Sequence, residues 1–251
     1  MLRLGWMSTA RGPGSLALLQ FVCDRIEAGA LDARISVVIS NREPGESPQT
    51  DRYFEFVRSQ GLPLVCESSS RLRQTAPGDD WRTRFDSLLA RRIEAYDIDV
   101  IFLAGYMLIV SDVLCTRYPL LNLHPALPGG PTGTWNEVMG ELARTGARRT
   151  GAMVHVVTPV LDRGPTVSFF SFPLEGEPFD SARESGDVTV LAAVIRAEEL
   201  KREFPLILTT LQALAGGRIV IKALRAYDGE GNPLQSGMDL SAQVEESLAR
   251  G

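Results

Sequence analysis

The stretch DVIFLA, residues 99–104, is the clearest indicator of the fold in this chain. After Asp99 it is apolar without interruption and too short for a typical helix. Strands that are buried on both faces of a parallel sheet have this pattern, whereas half-exposed antiparallel strands alternate apolar and polar residues. We therefore predict a parallel strand here, and we expect crossover helices on either side of it in the sequence.

Short apolar runs and helical patterns alternate outward from this stretch. The predicted strands are 2–7, 35–40, 63–66, 99–104, 120–123, 152–157, 166–173 and 218–227. The predicted helices are 15–28 with Ser15 as N-cap, 53–60, 82–96, 111–117 and 188–214. This order predicts an α/β fold with an open, doubly wound, mostly parallel sheet of the Rossmann type. We expect one domain, residues 1–251, with halves at 1–120 and 121–251 and a C-terminal strand and helix extension that is only partly ordered.

Composition narrows the function classes. The chain has 251 residues, of which 44% are hydrophobic and 23% charged, as in an ordinary globular protein. A net charge of −5 argues against nucleic acid and anionic membranes as partners. Three widely spaced cysteines without a CxxC pair predict neither disulfides nor a zinc site. We expect a cytoplasmic protein, because the sequence shows no membrane span and no signal-peptide layout.

Asn122 and His124 lie at the end of predicted strand 120–123. Alternation along a strand sends both side chains to the same side, and α/β sheets bind ligands beyond the carboxyl ends of their strands. The Pro- and Gly-rich loop 125–133 follows, and it would let backbone approach a ligand closely. Two alternatives stay open: a pair that fixes the loop by hydrogen bonds, and a plain surface crossover.

Asp162 adds a carboxylate from the loop 158–165 between two predicted strands, where a simple turn residue is the alternative. The sequence has no GxSxG, no cysteine near His124 and no HExxH. An amide, an imidazole and a carboxylate suit direct attack of an amine on a carbonyl. The amide would donate to the developing oxyanion, the imidazolium would donate or act as an acid, and the carboxylate would move the amine proton.

Three motifs carry a resemblance to a known family: DVIFLAGYM at 99–107, LNLHP at 121–125 and GAMVHVVTPVLDRGP at 151–165. With them, the chain resembles the folate-dependent formyltransferases over most of its length, least so in 41–83 and after 237. The resemblance implies transfer of a formyl group from the co-substrate 10-formyltetrahydrofolate to a primary amine. It implies glycinamide ribonucleotide of purine biosynthesis as the acceptor, no metal, and small-molecule partners only. A homodimer is one open alternative for the assembly.

The resemblance also assigns residues. It makes Asn122, His124 and Asp162 the catalytic trio. It implies that the following residues hold the pteridine of the folate: Leu103, Ala104, Gly105, Tyr106, Met107, Leu108, Ile109, Val110, Val157, Val160 and Leu161. It implies that the turn after the first strand holds the substrate phosphate at a helix N-terminus, through Arg11, Gly12, Gly14 and Ser15. A Gly-rich turn kept for packing reasons is the alternative there.

The chain departs from the family pattern in ways that leave the acceptor open. Pro13 removes one N–H donor from the first turn, and Leu108 stands where arginine is usual. The long helix is about one turn longer, so that Glu198, Glu199 or neither contacts the acceptor. Formylation of an amino-sugar nucleotide and hydrolysis of the formyl-folate are the enzymatic alternatives, and a catalytically silent folate- or nucleotide-binding module is the non-enzymatic one. The charge of −5 disfavours a tRNA substrate.

Some other side chains receive structural interpretations. His155, in the middle of a predicted strand, is interpreted as a buried supporting histidine. Trp6, Trp81 and Trp135 are interpreted as packing residues or loop anchors. The run 198–203, EELKRE, is interpreted as a solvated helix face.

Overall fold

The computed structural model describes residues 1–75, 78 and 80–250. They divide into two compact units, one of residues 1–122, 156–164 and 221–224, and one of residues 123–155, 165–220 and 225–251. The strands are β1 Leu2–Ser8, β2 Ala33–Ser40, β3 Leu64–Cys66, β4 Val100–Leu103, β5 Leu120–His124, β6 Arg149–Val156, β7 Thr166–Pro173, β8 Ile219–Lys222, β9 Arg225–Asp228 and β10 Met238–Asp239. The helices are α1 Pro13–Glu27, α2 Pro48–Ser59, α3 Ser69–Thr75, α4 Trp81–Ile93, α5 Asp112–Arg117, α6 Trp135–Thr145, α7 Phe179–Glu184, α8 Val188–Ala215 and α9 Ser241–Arg250.

Parallel strands form the sheet of the first unit, in the order β3-β2-β1-β4-β5. This is the Rossmann order, in which the direction of winding reverses between β1 and β4. The four residues of β4 are all buried, and they pair in parallel with β1 and with β5. The parallel strand predicted from DVIFLA is therefore confirmed, and so is the α/β class.

The core of the first unit lies where α4 and α5 cover the sheet. Phe85 and Leu89 of α4 and Leu114 of α5 are almost fully buried there, together with Val37 and Ile101 of the strands. Burial of each such side chain contributes about 1.5–3 kcal/mol relative to exposure. The apolar periodicity of 82–96 thus reflects a helix face that packs on the sheet.

Helix α1 begins earlier than predicted. Gly12, in extended conformation, is its N-cap and Pro13 its first residue, so the prediction that Ser15 caps the helix is wrong. Proline suits the first helical position because its fixed φ is already helical and its missing N–H would have no intrahelical partner there. Helix α2 follows the same rule: Ser47 caps it and Pro48 opens it, five residues before the predicted start.

The second unit combines strands of both directions with four helices. β6 pairs with β7 in antiparallel fashion, and β10 pairs with β7 in parallel fashion. Helices α6, α7 and α9 contact the long helix α8, whose predicted extent is confirmed. Helix α6 was not predicted, although its capping box, with Thr134 as N-cap and Glu137 three residues later, is present in the sequence.

The predicted single strand 218–227 is wrong. The structure has two strands there, β8 and β9, which form a two-stranded sheet. Ala223 and Leu224 connect them with φ of 47° and 58°. Two successive residues with positive φ are typical of a tight hairpin turn, which usually uses Asn-Gly or Asp-Gly. Beyond the hairpin, β10 and α9 confirm the C-terminal strand and helix extension.

Within residues 1–75, 78 and 80–250, no helix combines the length and the apolar character that a bilayer crossing requires.

Candidate active site

Asn122 and His124 occupy alternate positions at the carboxyl end of β5, so their side chains leave the strand on the same side. The side chain of His124 is 2% exposed, whereas that of Asn122 is half-buried. The preceding Leu120 and Leu121 are fully buried. The buried leucines therefore fix the start of the strand, and its last residues carry the amide and the imidazole on one side.

The loop after β5 folds back on His124. Nε2 of His124 lies 2.8 Å from the carbonyl oxygen of Pro131. A carbonyl oxygen only accepts, so Nε2 carries the hydrogen and donates it to Pro131. Gly130 tightens the loop by donating its N–H to the carbonyl of Leu127 at 2.8 Å. The bond from His124 to its own loop is the one that the loop-fixing alternative expects, and it also orients the imidazole.

His155 lies beside this imidazole. Its side chain is 2% exposed, and its ring centroid is 6.4 Å from that of His124, with the two rings nearly perpendicular. The interpretation of His155 as a buried histidine is confirmed. Its position makes it a packing partner of the ring of His124.

Asp162 lies in a tight loop of the first unit. Its φ of 51° is in the left-handed region, which Asp tolerates better than most residues. The loop closes so tightly that a Cβ on Gly164 would stand 1.7 Å from the carbonyl oxygen of Val156. Its start is tied to β5, because the N–H of Val157 donates to the carbonyl of Leu120 at 2.8 Å. The backbone around Asp162 is thus fixed.

The residues predicted to hold the folate divide into three groups. Four of them are buried in the core of the first unit: Leu103, Ala104, Tyr106 and Val110. Two are partly buried against that core: Leu108 and Val157. The remaining ones are exposed: Gly105, Met107, Ile109, Val160 and Leu161. Met107 is 67% exposed and Val160 is 62% exposed, so this unit offers apolar side chains to a ligand.

A buried carboxylate that sequence reasoning missed anchors the far end of segment 103–110. Asp86 of α4 is 2% exposed, and its Oδ2 accepts a hydrogen bond of 2.6 Å from the N–H of Ser111. Burial raises the pKa of Asp86, and the hydrogen bonds from Ser111 oppose that rise. In the sequence Asp86 resembles a solvated residue, and its position among the apolar residues of α4 is the signal that it is buried.

The turn predicted to hold a phosphate opens helix α1. Gly12 is the N-cap, and Gly14 and Ser15 are the second and third helical residues, after an exposed Arg11. The side chains of the turn leave this helix end uncapped. A Cβ at Gly12 or Gly14 would meet no atom within 4 Å. The packing of the chain therefore does not require these glycines, and their role in phosphate binding stays a prediction.

Helix α8 carries a buried ion cluster, so the predicted solvated face at 198–203 is wrong in part. Arg196 lies 3.0 Å from a carboxylate oxygen of Glu199 and 2.5 Å from one of Glu203. Residues three and four apart share one helix face, so these side chains meet. Glu199 is 0% and Glu203 8% exposed. Glu198 instead pairs with Lys201 and Arg202. Which glutamate contacts the acceptor stays a prediction.

The three tryptophans differ in their surroundings. Trp6 and Trp81 are buried, as interpreted from the sequence. Trp135, the first residue of α6, is 52% exposed, and the guanidinium of Arg196 lies 5.6 Å from its ring centroid. A cation over an indole ring is an attractive arrangement, so Trp135 covers the ion cluster from α6.

The ion cluster makes stability depend on pH. Burial, aided by repulsion from Glu203, raises the pKa of Glu199 to about 8 against the attraction of Arg196. Glu199 therefore keeps its proton up to about pH 8 in the folded chain but loses it near pH 4.5 in the unfolded chain. The free energy of unfolding consequently falls as the pH rises from 4.5 to 8. The free energy of unfolding should fall by roughly 1.4 kcal/mol per pH unit more steeply in the wild type than in Glu199→Gln. Urea unfolding at several pH values measures the difference.

Glu198→Gln is the matched control, because it makes the same change at the neighbouring position. The Lys201 and Arg202 partners lower the pKa of Glu198, so this variant should not flatten the fall between pH 5 and 8. If the free energies of unfolding of the wild type and Glu199→Gln changed with pH in parallel, the raised pKa assigned to Glu199 would be wrong.

Comparisons with known proteins identify relatives of this chain. A family model described as formyl transferase matches residues 12–173, well over half of the chain. Phosphoribosylglycinamide formyltransferase of Dictyostelium discoideum is 28% identical over 166 residues, which cover 62% of this chain and 78% of the relative. Formyltetrahydrofolate deformylase of Haemophilus influenzae is 29% identical over 141 residues, which cover 55% of this chain and only 44% of the relative.

The fold has a solved counterpart. The crystal structure of glycinamide ribonucleotide transformylase 1 from Symbiobacterium toebii superimposes with a TM-score of 0.65 at 28% identity, and the match covers 91% of this chain and 94% of that one. The family match runs from the N-cap of α1 to the end of β7, and the positions of Asn122, His124 and Asp162 fall within it. The chain therefore belongs to the formyl transferase family.

Proposed function

We propose that this enzyme transfers the formyl group of 10-formyltetrahydrofolate to the primary amine of a phosphorylated small molecule, with glycinamide ribonucleotide as the acceptor. The observation that carries the proposal is the end of β5, where Asn122 and His124 share one side and Pro131 orients the imidazole. The relatives named for this reaction support the choice of acceptor.

Each member of the trio has a distinct task in the proposed reaction. The amine adds to the formyl carbon, and the carbonyl oxygen becomes negative as the new C–N bond forms. The amide N–H of Asn122 donates to that oxygen, and protonated His124 donates a second hydrogen bond to it. Asp162 takes the proton that the amine releases. The negative oxygen then re-forms the C=O bond as the bond to N10 of the folate breaks, N10 takes up the proton that Asp162 accepted, and tetrahydrofolate leaves.

The donor and the acceptor are proposed to bind at different parts of the first unit. Exposed Met107, Ile109, Val160 and Leu161 offer apolar contacts to the pteridine ring, and Gly105 offers open backbone. The start of α1 offers N–H groups and the positive end of the helix dipole to a phosphate. Pro13 contributes no N–H, and the exposed Arg11 supplies a positive charge in its place.

Hydrolysis of the formyl-folate is a second candidate, and the similarity to a deformylase favours it. In that reaction water takes the place of the amine and formate is the product. Formylation of an amino-sugar nucleotide is a third candidate, because it needs the same donor and the same trio. The three candidates differ in the nucleophile that they require.

We expect rapid release of tetrahydrofolate when the purified protein is mixed with 10-formyltetrahydrofolate and glycinamide ribonucleotide, and little release without the amine. Absorbance of the folate follows the reaction, and mass spectrometry identifies the formylated product. Release at the same rate without any amine would overturn the proposal in favour of the hydrolase. Release that requires an amino-sugar nucleotide would overturn only the acceptor. Folate binding without release under all conditions would indicate a binding module.

A further inference from the structure

Two loops leave the sheet of the first unit side by side, at the point where its winding reverses. β1 and β4 are paired neighbours, with Met7 opposite Leu103 at their carboxyl ends. The chain after β1 forms the turn proposed to hold the phosphate, which we call the phosphate turn, residues 9–15. The chain after β4 forms the segment proposed to hold the folate, which we call the donor loop, residues 104–110. Ligands of such sheets bind at this crevice.

Thr9 connects the two loops through its backbone and its side chain. Its N–H donates to the carbonyl of Gly105 at 3.2 Å, and its Oγ1 accepts from the N–H of Met107 at 2.8 Å. The residue is 4% exposed. Just before it, the carbonyl of Met7 accepts from Ala104 at 2.8 Å and continues the strand pairing. Thr9 thus extends the pairing of β1 and β4 into their loops.

The donor loop also lies directly against the first turn of α1. Gly105 has a φ of 68°, and a Cβ placed on it would stand 2.7 Å from Oγ of Ser15. A side chain at Gly105 would therefore push against the third residue of the helix. Together with the bonds of Thr9, this contact leaves the two loops little freedom to move separately.

We propose that Thr9 is a positioning residue that couples the binding of the formyl donor to the binding of the acceptor phosphate. This inference rests on the proposed function, which places the two ligands on these two loops. A phosphate that fixes residues 11–15 also fixes Thr9, and Thr9 then holds the N–H of Met107 in the donor loop. Each ligand meets part of the ordering cost of the other, so each raises the affinity for the other.

The hydroxyl of Thr9 is tested by Thr9→Val, which keeps the branched shape and removes the acceptor for the Met107 N–H. Tetrahydrofolate and glycinamide ribonucleotide are suitable probes, because they cannot react without a formyl group. Titration calorimetry should show that glycinamide ribonucleotide tightens tetrahydrofolate binding in the wild type. In Thr9→Val this tightening should disappear, and tetrahydrofolate alone should bind about tenfold more weakly. Thr9→Ser should restore both values.

Thr50→Val is the matched control. Thr50 is fully buried, and its hydroxyl also bonds to backbone at the same turn, although it donates where Thr9 accepts: its Oγ1 donates to the carbonyl of Ala10 at 3.2 Å. It supports the phosphate turn from α2. We expect Thr50→Val to weaken glycinamide ribonucleotide binding while the affinity for tetrahydrofolate alone stays at the wild-type value.

Each outcome decides the inference. Wild-type coupling in Thr9→Val, or identical patterns in Thr9→Val and Thr50→Val, would overturn the role of Thr9 and leave the proposed function in place. A failure of Thr9→Ser to restore coupling would also overturn the role of the hydroxyl. A wild-type protein that binds neither probe would overturn the proposed function and the inference together.

Discussion

Asp162→Asn should lower kcat by roughly 10²–10⁴-fold, the usual size of a general acid–base contribution, and leave the Kd for tetrahydrofolate unchanged. The substitution removes the carboxylate that is proposed to accept the amine proton. Asn is close in size to Asp and also tolerates the left-handed backbone that Asp162 adopts, so the loop should keep its shape. Single-turnover kinetics measure the rate, and calorimetry measures the binding.

Asp180→Asn is a suitable control for this prediction. Asp180 is exposed on α7 and forms a surface ion pair with Arg183. Such pairs contribute about 0–1 kcal/mol to the free energy of unfolding. The kcat of Asp180→Asn should equal that of the wild type. If Asp162→Asn retained more than a third of the wild-type kcat, or lost folate binding as much as turnover, its assigned role would be wrong.

His124→Ala should lose a similar factor, roughly 10²–10⁴ in kcat. This variant should also unfold more easily, because the carbonyl of Pro131 loses the N–H that it accepts from. Removal of one partner of a buried hydrogen bond usually costs about 1–3 kcal/mol. The kinetic loss reflects the missing proton donor, and the loss of stability reflects the missing donor to Pro131.

His124→Gln separates the two effects. A glutamine amide can donate to the carbonyl of Pro131 but cannot take up and release a proton at neutral pH. We expect it to recover much of the lost stability and none of the lost rate. His155→Gln, at the neighbouring buried ring, should keep a kcat within about tenfold of the wild type. Near-wild-type turnover in His124→Ala would exclude the proposed role.

The sequence predicts the sheet of the first unit well, because its strands are mostly apolar and its helices carry one apolar face. DVIFLA is an example, since its pattern alone distinguishes a strand buried on both faces. The errors have local causes. The α1 prediction misplaced its start because a serine was preferred as the cap over Gly-Pro. The β8–β9 turn was missed because Ala223 and Leu224 lack the usual turn residues.

The candidate site was less accessible to sequence reasoning. Asn122 and His124 could be placed together because strand alternation links residues two apart. The bond from His124 to Pro131 could not be predicted, since it depends on how a Pro- and Gly-rich loop folds back. The hydrogen bonds of Thr9 to Gly105 and Met107 could not be predicted either. They depend on β1 and β4 being neighbours in the sheet, and no single segment of the sequence gives the order of the strands.

The ion cluster of α8 has a consequence for the order in which the second unit folds. Arg196, Glu199 and Glu203 lie within eight residues of sequence, so they meet as soon as these turns of helix form, with little loop-closure entropy. Burial of the Arg196 guanidinium without a partner would cost several kcal/mol, and the carboxyl groups beside it lower that cost. Helix α6, whose Trp135 covers the cluster, is therefore expected to dock only on an α8 that is already helical at these positions. Secondary structure in this part of the chain would then precede tertiary contact.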